Sequence, residues 1–412
     1  MSASRAGLSA YRALPRIAGW GYLVATSLGR LPMSMVPLAV LTLTTSATGS
    51  LAVGGFASAA AALGEAVGAP ASGGLADRWG QRPVLLAGVV VHLAVLLVFT
   101  LGVGAIPDTA TVALAGVAGL TLPQVGALSR ARWLALAPDD TAAAFAFEGV
   151  VDEVVYIIGP ALVGLLAVAF DPRVAMLIAG VLIAVFVTQF AVHRTHRAVP
   201  RRGRIAAGGL PDAVTPGTGR RTALIALTFT GMVSMGVFFG GSQTALTAFA
   251  AEMGVPDAGA LLYAVMAVGS AATTLSMVLV PERIGPWTRW ILAGIGMLCG
   301  AVLMTTAGGV LGVVLAGVVA GAFQGPLLLT IFRISGSIAE HGRGGITMTL
   351  TASGVVLGLA LGAAIAGPLA EIRGSEGGFA VVIAATLVLL LLGVVAAAAG
   401  RVRRQARVSS PL

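Results

Sequence analysis

Twelve stretches of this sequence are long, apolar and almost free of charge, and that limits the chain to one kind of solvent. A helix needs about 20 apolar residues to cross the hydrocarbon of a bilayer. The stretches 17–42, 48–72, 83–105, 108–134, 141–169, 172–193, 222–250, 256–280, 287–307, 309–334, 344–370 and 377–400 are all of that kind. A soluble protein has about a quarter of its residues charged, whereas this chain of 412 has 10%, with 57% hydrophobic. Its 57 glycines fit the same reading, because small residues let membrane helices approach closely. Pro32, Pro37, Pro123, Pro160, Pro326 and Pro368 fall within the stretches, and membrane helices tolerate such kinks where neighbours re-satisfy the backbone. The expectation is an all-α integral membrane protein of twelve transmembrane helices.

The charges orient it. All 25 basic residues are Arg, and the net charge is +9. With both termini in the cytoplasm, 22 of these Arg fall on the inside, Arg173 and Arg373 fall outside, and Arg30 lies within the first span. Cytoplasmic loops carry such an excess, so the chain is expected in the inner (plasma) membrane, multi-pass, with both termini cytoplasmic. Orientation and contact with anionic lipids account for the basic charge, and no nucleic acid is expected. Met1–Gly19 carries Arg5, Arg12 and Arg16 with no short apolar core and cleavage site after it, and reads as a retained lead-in rather than a signal peptide. The Arg-, Pro- and Gly-rich segment around 194–221 reads as a flexible cytoplasmic linker. The expected organisation is a six-helix bundle over 1–193, the linker over 194–221, a second six-helix bundle over 222–400 and a basic tail over 401–412. One cysteine, Cys299, allows neither an intrachain disulfide nor a metal site of its own. Without lysine no phosphate-binding G-x4-G-K-[ST] loop exists, so ATP drive through that motif is excluded. No nucleophile–base pair or metal-ligand set appears, so no enzyme and no cofactor are expected.

Between the second and third stretches the charge rises abruptly, in Gly73-Gly74-Leu75-Ala76-Asp77-Arg78-Trp79-Gly80-Gln81-Arg82. This resembles the signature loop between helices 2 and 3 of major facilitator superfamily transporters, G-x-L-A-D-R-x-G-R-[KR]. Gly73, Leu75, Ala76, Asp77, Arg78, Gly80 and Arg82 match, and Gln81 stands where the family usually has a base. The resemblance covers nearly the whole chain, because the halves look related. Glu282-Arg283-Ile284-Gly285 echoes Asp77-Arg78-Trp79-Gly80, Leu315–Val318 repeats Leu114–Val117, and Gly367-Pro368 repeats Gly159-Pro160. The family's fold is two parallel six-helix bundles related by a pseudo-two-fold axis around a midplane cavity.

Charge inside a span costs at least about 2.5–3.5 kcal/mol on insertion scales, so it needs a partner or a function. Arg30, Glu65, Glu148, Asp152 and Glu153 are the cases here, all in the first half. Glu148 and Asp152 are four apart and share a helix face, with Glu153 about 100° round. Arg30 lies at a depth like that of Asp152, so an Arg30–Asp152 or Arg30–Glu148 pair would shield both charges. A carboxylate of this group left without full compensation could exchange a proton and couple it to substrate movement. The alternatives are a static ion-pair cluster that holds helices 1, 2 and 5 together, or direct substrate contact. Glu65, placed toward the cytoplasmic end of its span, and the lone His92 read as structural.

The resemblance implies further roles. In the family the signature Asp contacts the start of helix 11 and an Arg near the cytoplasmic end of helix 4. This would make Gly73, Asp77, Arg78, Gly80 and Arg82, with Arg130 or Arg132, a conformational latch. The alternative is a loop needed only for folding and insertion. Gly159, Pro160 and Gly164 partly resemble the antiporter motif of drug exporters, while Ala146, Val155 and Val163 replace its other glycines and span 4 has Pro123-Gln124 where those exporters have an Arg. Helices 1, 4, 7 and 10 line the family's cavity, which points to Met33, Gln124, Met235, Phe239, Gln243 and Gln324. Met and Phe make adaptable apolar surfaces and a few amides can orient a ligand, although such a stripe is more often packing. The function these features suggest is a monomeric secondary transporter working by alternating access, with proton-coupled efflux of lipophilic or amphiphilic small molecules. An importer or facilitator of a nutrient or metabolite, or a transport-inactive scaffold or sensor, is the alternative.

Overall fold

The computed structural model describes residues 9–199, 218–254, 259–281, 283–339 and 344–408. Most of the expected linker, its arginines 201, 202 and 204, and the last four residues of the expected tail lie outside them, as does Glu282 of the second-half repeat. Within the described residues the chain is almost entirely helical, with no strand, and eleven helices are long and apolar enough to cross a membrane. The helix Leu51–Trp79, rich in Ala and Gly, is 29 residues long and is not among those eleven.

The chain forms two compact units. Met1–Ile225 and Ser335–Leu357 make the first, and Ala226–Ile334 and Gly358–Leu412 the second. The first contains α1 (Ser9–Ala18), α2 (Trp20–Leu28), α3 (Leu31–Thr48), α4 (Leu51–Trp79), α5 (Gln81–Gly102), α6 (Asp108–Thr121), α7 (Val125–Leu136), α8 (Thr141–Ala169), α9 (Pro172–Leu182) and α10 (Thr188–Val192). Next come α11 (Thr218–Glu252), α12 (Gly259–Ser276), α13 (Pro286–Thr306), α14 (Val310–Ile338), α15 (Gly344–Arg373) and α16 (Ser375–Val408). The last residues of α14 and the first half of α15 belong to the first unit.

Two expected spans are broken, and proline accounts for both breaks. In the fourth, Pro123 has no N–H to donate and drives the residue before it out of the helical region. Leu122 accordingly takes φ −61°, ψ 123°, Gln124 takes φ −90°, ψ 67°, and the span divides into α6 and α7. In the first, Pro32 deprives the Leu28 carbonyl of its normal donor, and α2 ends before Gly29 and Arg30. In the sixth, the backbone loosens to a π turn over Ile183–Val187.

The charged stretch 73–82 is not a loop. α4 continues through Asp77 and Arg78 to Trp79, and the reversal is made at Gly80, φ 94°, ψ 151°. That backbone region is essentially open to glycine alone. Glu65 lies mid-way along this helix.

Packing in the first unit is closest between α4 and α6. A Cβ on Gly119 would land on the Ala61 carbonyl, one on Gly68 on the Leu120 carbonyl, and one on Gly64 on the Gly116 carbonyl. Side chains turned outward, such as Leu97, Val98 and Leu101, stay exposed, as a lipid-facing surface requires. The second unit uses the same device where Gly358 meets the Val233 carbonyl. Its core is centred on the fully buried Trp290, whose Nε1 donates to the Leu389 carbonyl at 2.8 Å. Glu252, at the end of α11, caps the start of α16 by accepting from the Ser375 N–H and hydroxyl, both at 2.6 Å.

The α4–α6 seam gives the first prediction. Gly119→Ala should lose about 1–3 kcal/mol of stability through overpacking, read as a lower melting temperature of the detergent-purified protein. Gly88→Ala, where an added Cβ meets nothing within 4 Å, should melt like the parent. Equal melting of the two would show that the seam tolerates a methyl group.

Candidate functional site

The breaks in the spans meet. A Cβ on Gly29 would lie 3.6 Å from Val125 of α7 and 3.6 Å from the Phe186 backbone in the π turn, and one on Gly126 would lie 3.3 Å from Arg30 Nε. Arg30 therefore projects from the break between α2 and α3 across the start of α7, and it is 1% exposed.

A guanidinium so enclosed needs acceptors on every side. One nitrogen pairs with the Glu148 carboxylate and donates to Thr26 Oγ1 at 2.9 Å. The other donates to Asp152 Oδ1 at 2.8 Å and to the Glu148 carbonyl at 3.2 Å. The i, i+4 spacing on α8 aims both carboxylates at Arg30. Arg130 pairs with the second oxygen of Asp152. Glu148 also accepts from Ser129 Oγ at 2.7 Å and Trp133 Nε1 at 2.6 Å, and Tyr22 bonds Ser129 at 2.6 Å. Two guanidinium groups thus face two carboxylates. α7 supplies Arg130 as a second cation beside this pair of carboxylates. Glu153, turned away on α8, is half-buried.

Asp77 lies 4% exposed at the end of α4. Its two oxygens accept from the backbone N–H groups of Gly345 and Ile346, both at 2.8 Å. A carboxylate there satisfies unpaired donors and faces the positive end of the α15 dipole. The approach is close because Gly73 leaves space for the Gly345 backbone and the Thr349 side chain.

Of the two α7 arginines, Arg132 makes a separate set of contacts. Residues two apart on a helix point about 200° apart, so Arg130 faces Asp152 while Arg132 faces the other way. Arg132 donates to Gln81 Oε1 at 2.7 Å, the Phe190 carbonyl at 2.8 Å and Thr195 Oγ1 at 2.9 Å, and lies 3.7 Å over the Phe190 ring. Gln81, which departs from the family pattern, is what fixes Arg132. A basic residue in its place would repel Arg132, and that is the signal the departure carried. Beside this network, burial and then the neighbouring Arg132, Arg194 and His196 lower the pKa of His193. Arg78 and Arg82 are exposed.

The amide and apolar residues are dispersed. Gln124 is buried in the α6–α7 break, where its Nε2 donates to the Leu122 carbonyl at 3.1 Å. It also lies within hydrogen-bond reach of the Glu65 carboxyl. Met33 is half-buried near the α2–α3 break. In the second unit Met235 is fully buried, Phe239 is half-buried against the Phe238 ring, Gln243 is exposed and Gln324 is buried. Gly159 packs directly on Ser34 of α3, whereas Gly164 faces open space. Among the described residues no group of three His, Cys, Asp or Glu is placed to hold a metal ion.

The Asp77 contact predicts that Asp77→Asn, which keeps the shape but loses the charge, weakens the first turn of α15. Two charge-assisted bonds at about 1.5–3 kcal/mol each are at stake. Hydrogen exchange by mass spectrometry should then quicken at least tenfold in the peptide that begins at Gly344. Unchanged exchange would show that the carboxylate does not hold this turn.

Comparison with known proteins agrees with this architecture. The model of the Major Facilitator Superfamily matches residues 22–317. The human organic anion transporter MFSD10 (TETRAN) superposes with a TM-score of 0.68 at 16% identity, covering 93% of this chain and 99% of that one. A bacterial homologue of the iron transporter ferroportin, outward-facing with soaked iron, gives 0.69 at 18% identity over 91% and 98%. A variant of the E. coli fucose:proton symporter FucP gives 0.59 at 12% identity over 90% and 97%. No curated sequence matches the chain significantly. With a match over well more than half its length and helices to span a bilayer throughout, the chain belongs to the major facilitator superfamily and is a membrane transporter, not an enzyme.

Proposed function

We propose that this transporter works by alternating access and exports lipophilic or amphiphilic small molecules in exchange for protons. It sits in the plasma membrane as a monomer with both termini cytoplasmic. The observation that carries the coupling is where charge is buried. Among the described residues, every buried acidic or basic side chain lies in the first unit, and the cluster of Arg30, Glu148, Asp152 and Arg130 stands where the first and fourth spans are broken. Charge in a transmembrane segment marks ion and proton pathways, and discontinuous helices mark transporter sites. One of the similar structures is that of a fucose:proton symporter. Support for an apolar substrate comes from the residue types expected to line the cavity: Met33 in the first unit, and Phe239 and Phe323 in the second, each keep partly open surface. Gly159 on Ser34 is the part of the exporter-like motif that makes a close contact. In this reading Asp77 with Gly73 and Gly80 is the latch, released when α15 withdraws its first turn from the carboxylate. The cluster of Arg30, Glu148, Asp152 and Glu153 re-pairs as the protein changes state.

The test is proton movement into or out of proteoliposomes that hold a pH-sensing dye, with tetraphenylphosphonium, neutral drugs and polar metabolites offered in turn. Counterflow of protons with a lipophilic compound is expected. Parallel flow with a polar metabolite would make the protein an importer, and flux indifferent to pH would make it a facilitator.

Asp152→Asn leaves two guanidinium groups facing one carboxylate. Removing one partner of a buried pair costs about 3–5 kcal/mol, so this variant should lose most transport and melt lower. Arg130→Gln added to it restores the balance of charge and should recover part of the stability. A double variant no better than the single one would mean that charge balance is not what holds α7 to α8.

A further inference from the structure

One acid buried within a span has no cation among the described residues. Glu65 sits mid-way along α4 and is 3% exposed, with Oε1 lacking any hydrogen-bond partner among those residues. It lies on the glycine-lined seam with α6, where a Cβ on Gly119 would come within 2.9 Å of the Glu65 backbone nitrogen. No side chain of Gly119 comes between, and the carboxyl reaches Gln124 in the break before α7.

The charged and titratable groups on the elements around it are engaged elsewhere. Arg30 at the start of α3 holds Glu148, Asp152 and Thr26. On α7, Arg130 pairs with Asp152 and Arg132 holds Gln81, Phe190 and Thr195. On α5, His92 bonds Thr121 at 3.0 Å and Arg82 is exposed. Further along α4, Asp77 caps α15, and Arg78 is exposed. Asp108 stands at the far end of α6, in its first turn. None of them forms an ion pair with Glu65.

We propose that Glu65 is the proton-binding carboxyl of the transport cycle, with Gln124 as the relay that reports its state to the broken fourth span. This rests on the proton-coupled reading above. A lone carboxylate in an apolar seam is far costlier than a carboxylic acid, so enclosure against Gln124 suits the protonated group and access to water suits the ionised one. Gln124 can serve both, since its amide oxygen accepts from an acid and its amide nitrogen donates to a carboxylate. That choice competes with the bond from Nε2 to the Leu122 carbonyl, which holds the break together. Two residues on, Gly126 lies against Arg30. A proton gained or lost at Glu65 therefore has a short path through α7 to the charge cluster. The proton moves between water and a Glu65 oxygen, and no other bond is made or broken.

The test pairs infrared spectroscopy with flux. Difference spectra of the purified protein across a pH titration should show the carbonyl stretch of a buried carboxylic acid. That band should vanish in Glu65→Gln, persist in Glu65→Asp, and shift in frequency in Gln124→Ala, which keeps the acid and removes its neighbour. In proteoliposomes with tetraphenylphosphonium, Glu65→Gln should cut proton movement at least tenfold while exchange of the probe continues and no longer varies with pH. A band that survives Glu65→Gln, or proton flux that does, would overturn the assignment. If Glu65→Gln does not fold, an unshifted band in Gln124→Ala overturns it equally. Absence of proton flux from the wild type with every compound would sink the coupled reading instead, and the infrared band would still say whether Glu65 binds a proton.

Discussion

A guanidinium group buried in the middle of a membrane protein dictates much of what surrounds it. Arg30 is enclosed to 1% exposure, and the two terminal nitrogens of its guanidinium are met by acceptors, as a buried charge requires. That requirement fixes α8 in register, because Glu148 and Asp152 both have to face it. It requires a close passage over α7, which Gly126 provides. It also places Arg30 where the backbone is already irregular, since the break at Pro32 lets the side chain leave the α2–α3 axis. Trp133 shares the Glu148 carboxylate with Arg30, and Tyr22 stands edge-on to Trp133 with centroids 5.3 Å apart. In that setting the pairs are strong, and breaking one is costly.

Backbone contact supplies what charge does not. Without a hydrophobic drive between helices, association rests on close packing and on hydrogen bonds. Gly64, Gly68, Gly116 and Gly119 let α4 and α6 touch backbone to backbone. The seam gains dispersion contacts over its length, and it leaves Glu65 with no room to turn away. Asp77 follows the same logic at the end of α4, where Gly73 allows the first turn of α15 to come within reach of a carboxylate. Gly80 then reverses the chain in one residue, so α4 keeps its charged end in helical geometry.

Much of this was legible in the sequence, and the rest was hidden for identifiable reasons. Spans show themselves through length and absence of charge, and the spacing of Glu148 and Asp152 shows that they share a face. Arg30 as their neighbour follows from depth. The breaks at Arg30 and Gln124 are less legible, because proline inside a membrane helix kinks as often as it interrupts. Arg130 and Arg132 could not be told apart by position along the chain, since the choice depends on the rotation of α7. The full length of α4 was not legible, because the charge at 77–78 marks a membrane boundary rather than a helix end. Gln81 stood out only as a departure from a pattern, and its role appears once Arg132 is beside it.

The size of these interactions bears on how such a protein can move. Shifting a two-state equilibrium from one part in a hundred to ninety-nine takes about 5.5 kcal/mol. Losing one partner from a buried ion pair costs about 3–5 kcal/mol, and the two bonds at Asp77 are each worth about 1.5–3 kcal/mol. The Asp77 contact and a single pair of the Arg30 cluster are therefore each of the scale that sets a conformational balance. A cluster as closely matched as Arg30, Glu148, Asp152 and Arg130 cannot lose a pair outright without halting; it has to exchange one pair for another. Exchange needs a nearby group whose charge can change, and in the proposed cycle that group is Glu65, whose Oε1 has no hydrogen-bond partner among the described residues. Under the proposed proton coupling, the acid and the cluster would be parts of one device, with the seam holding the proton and the cluster converting its presence into a rearrangement of the broken helices.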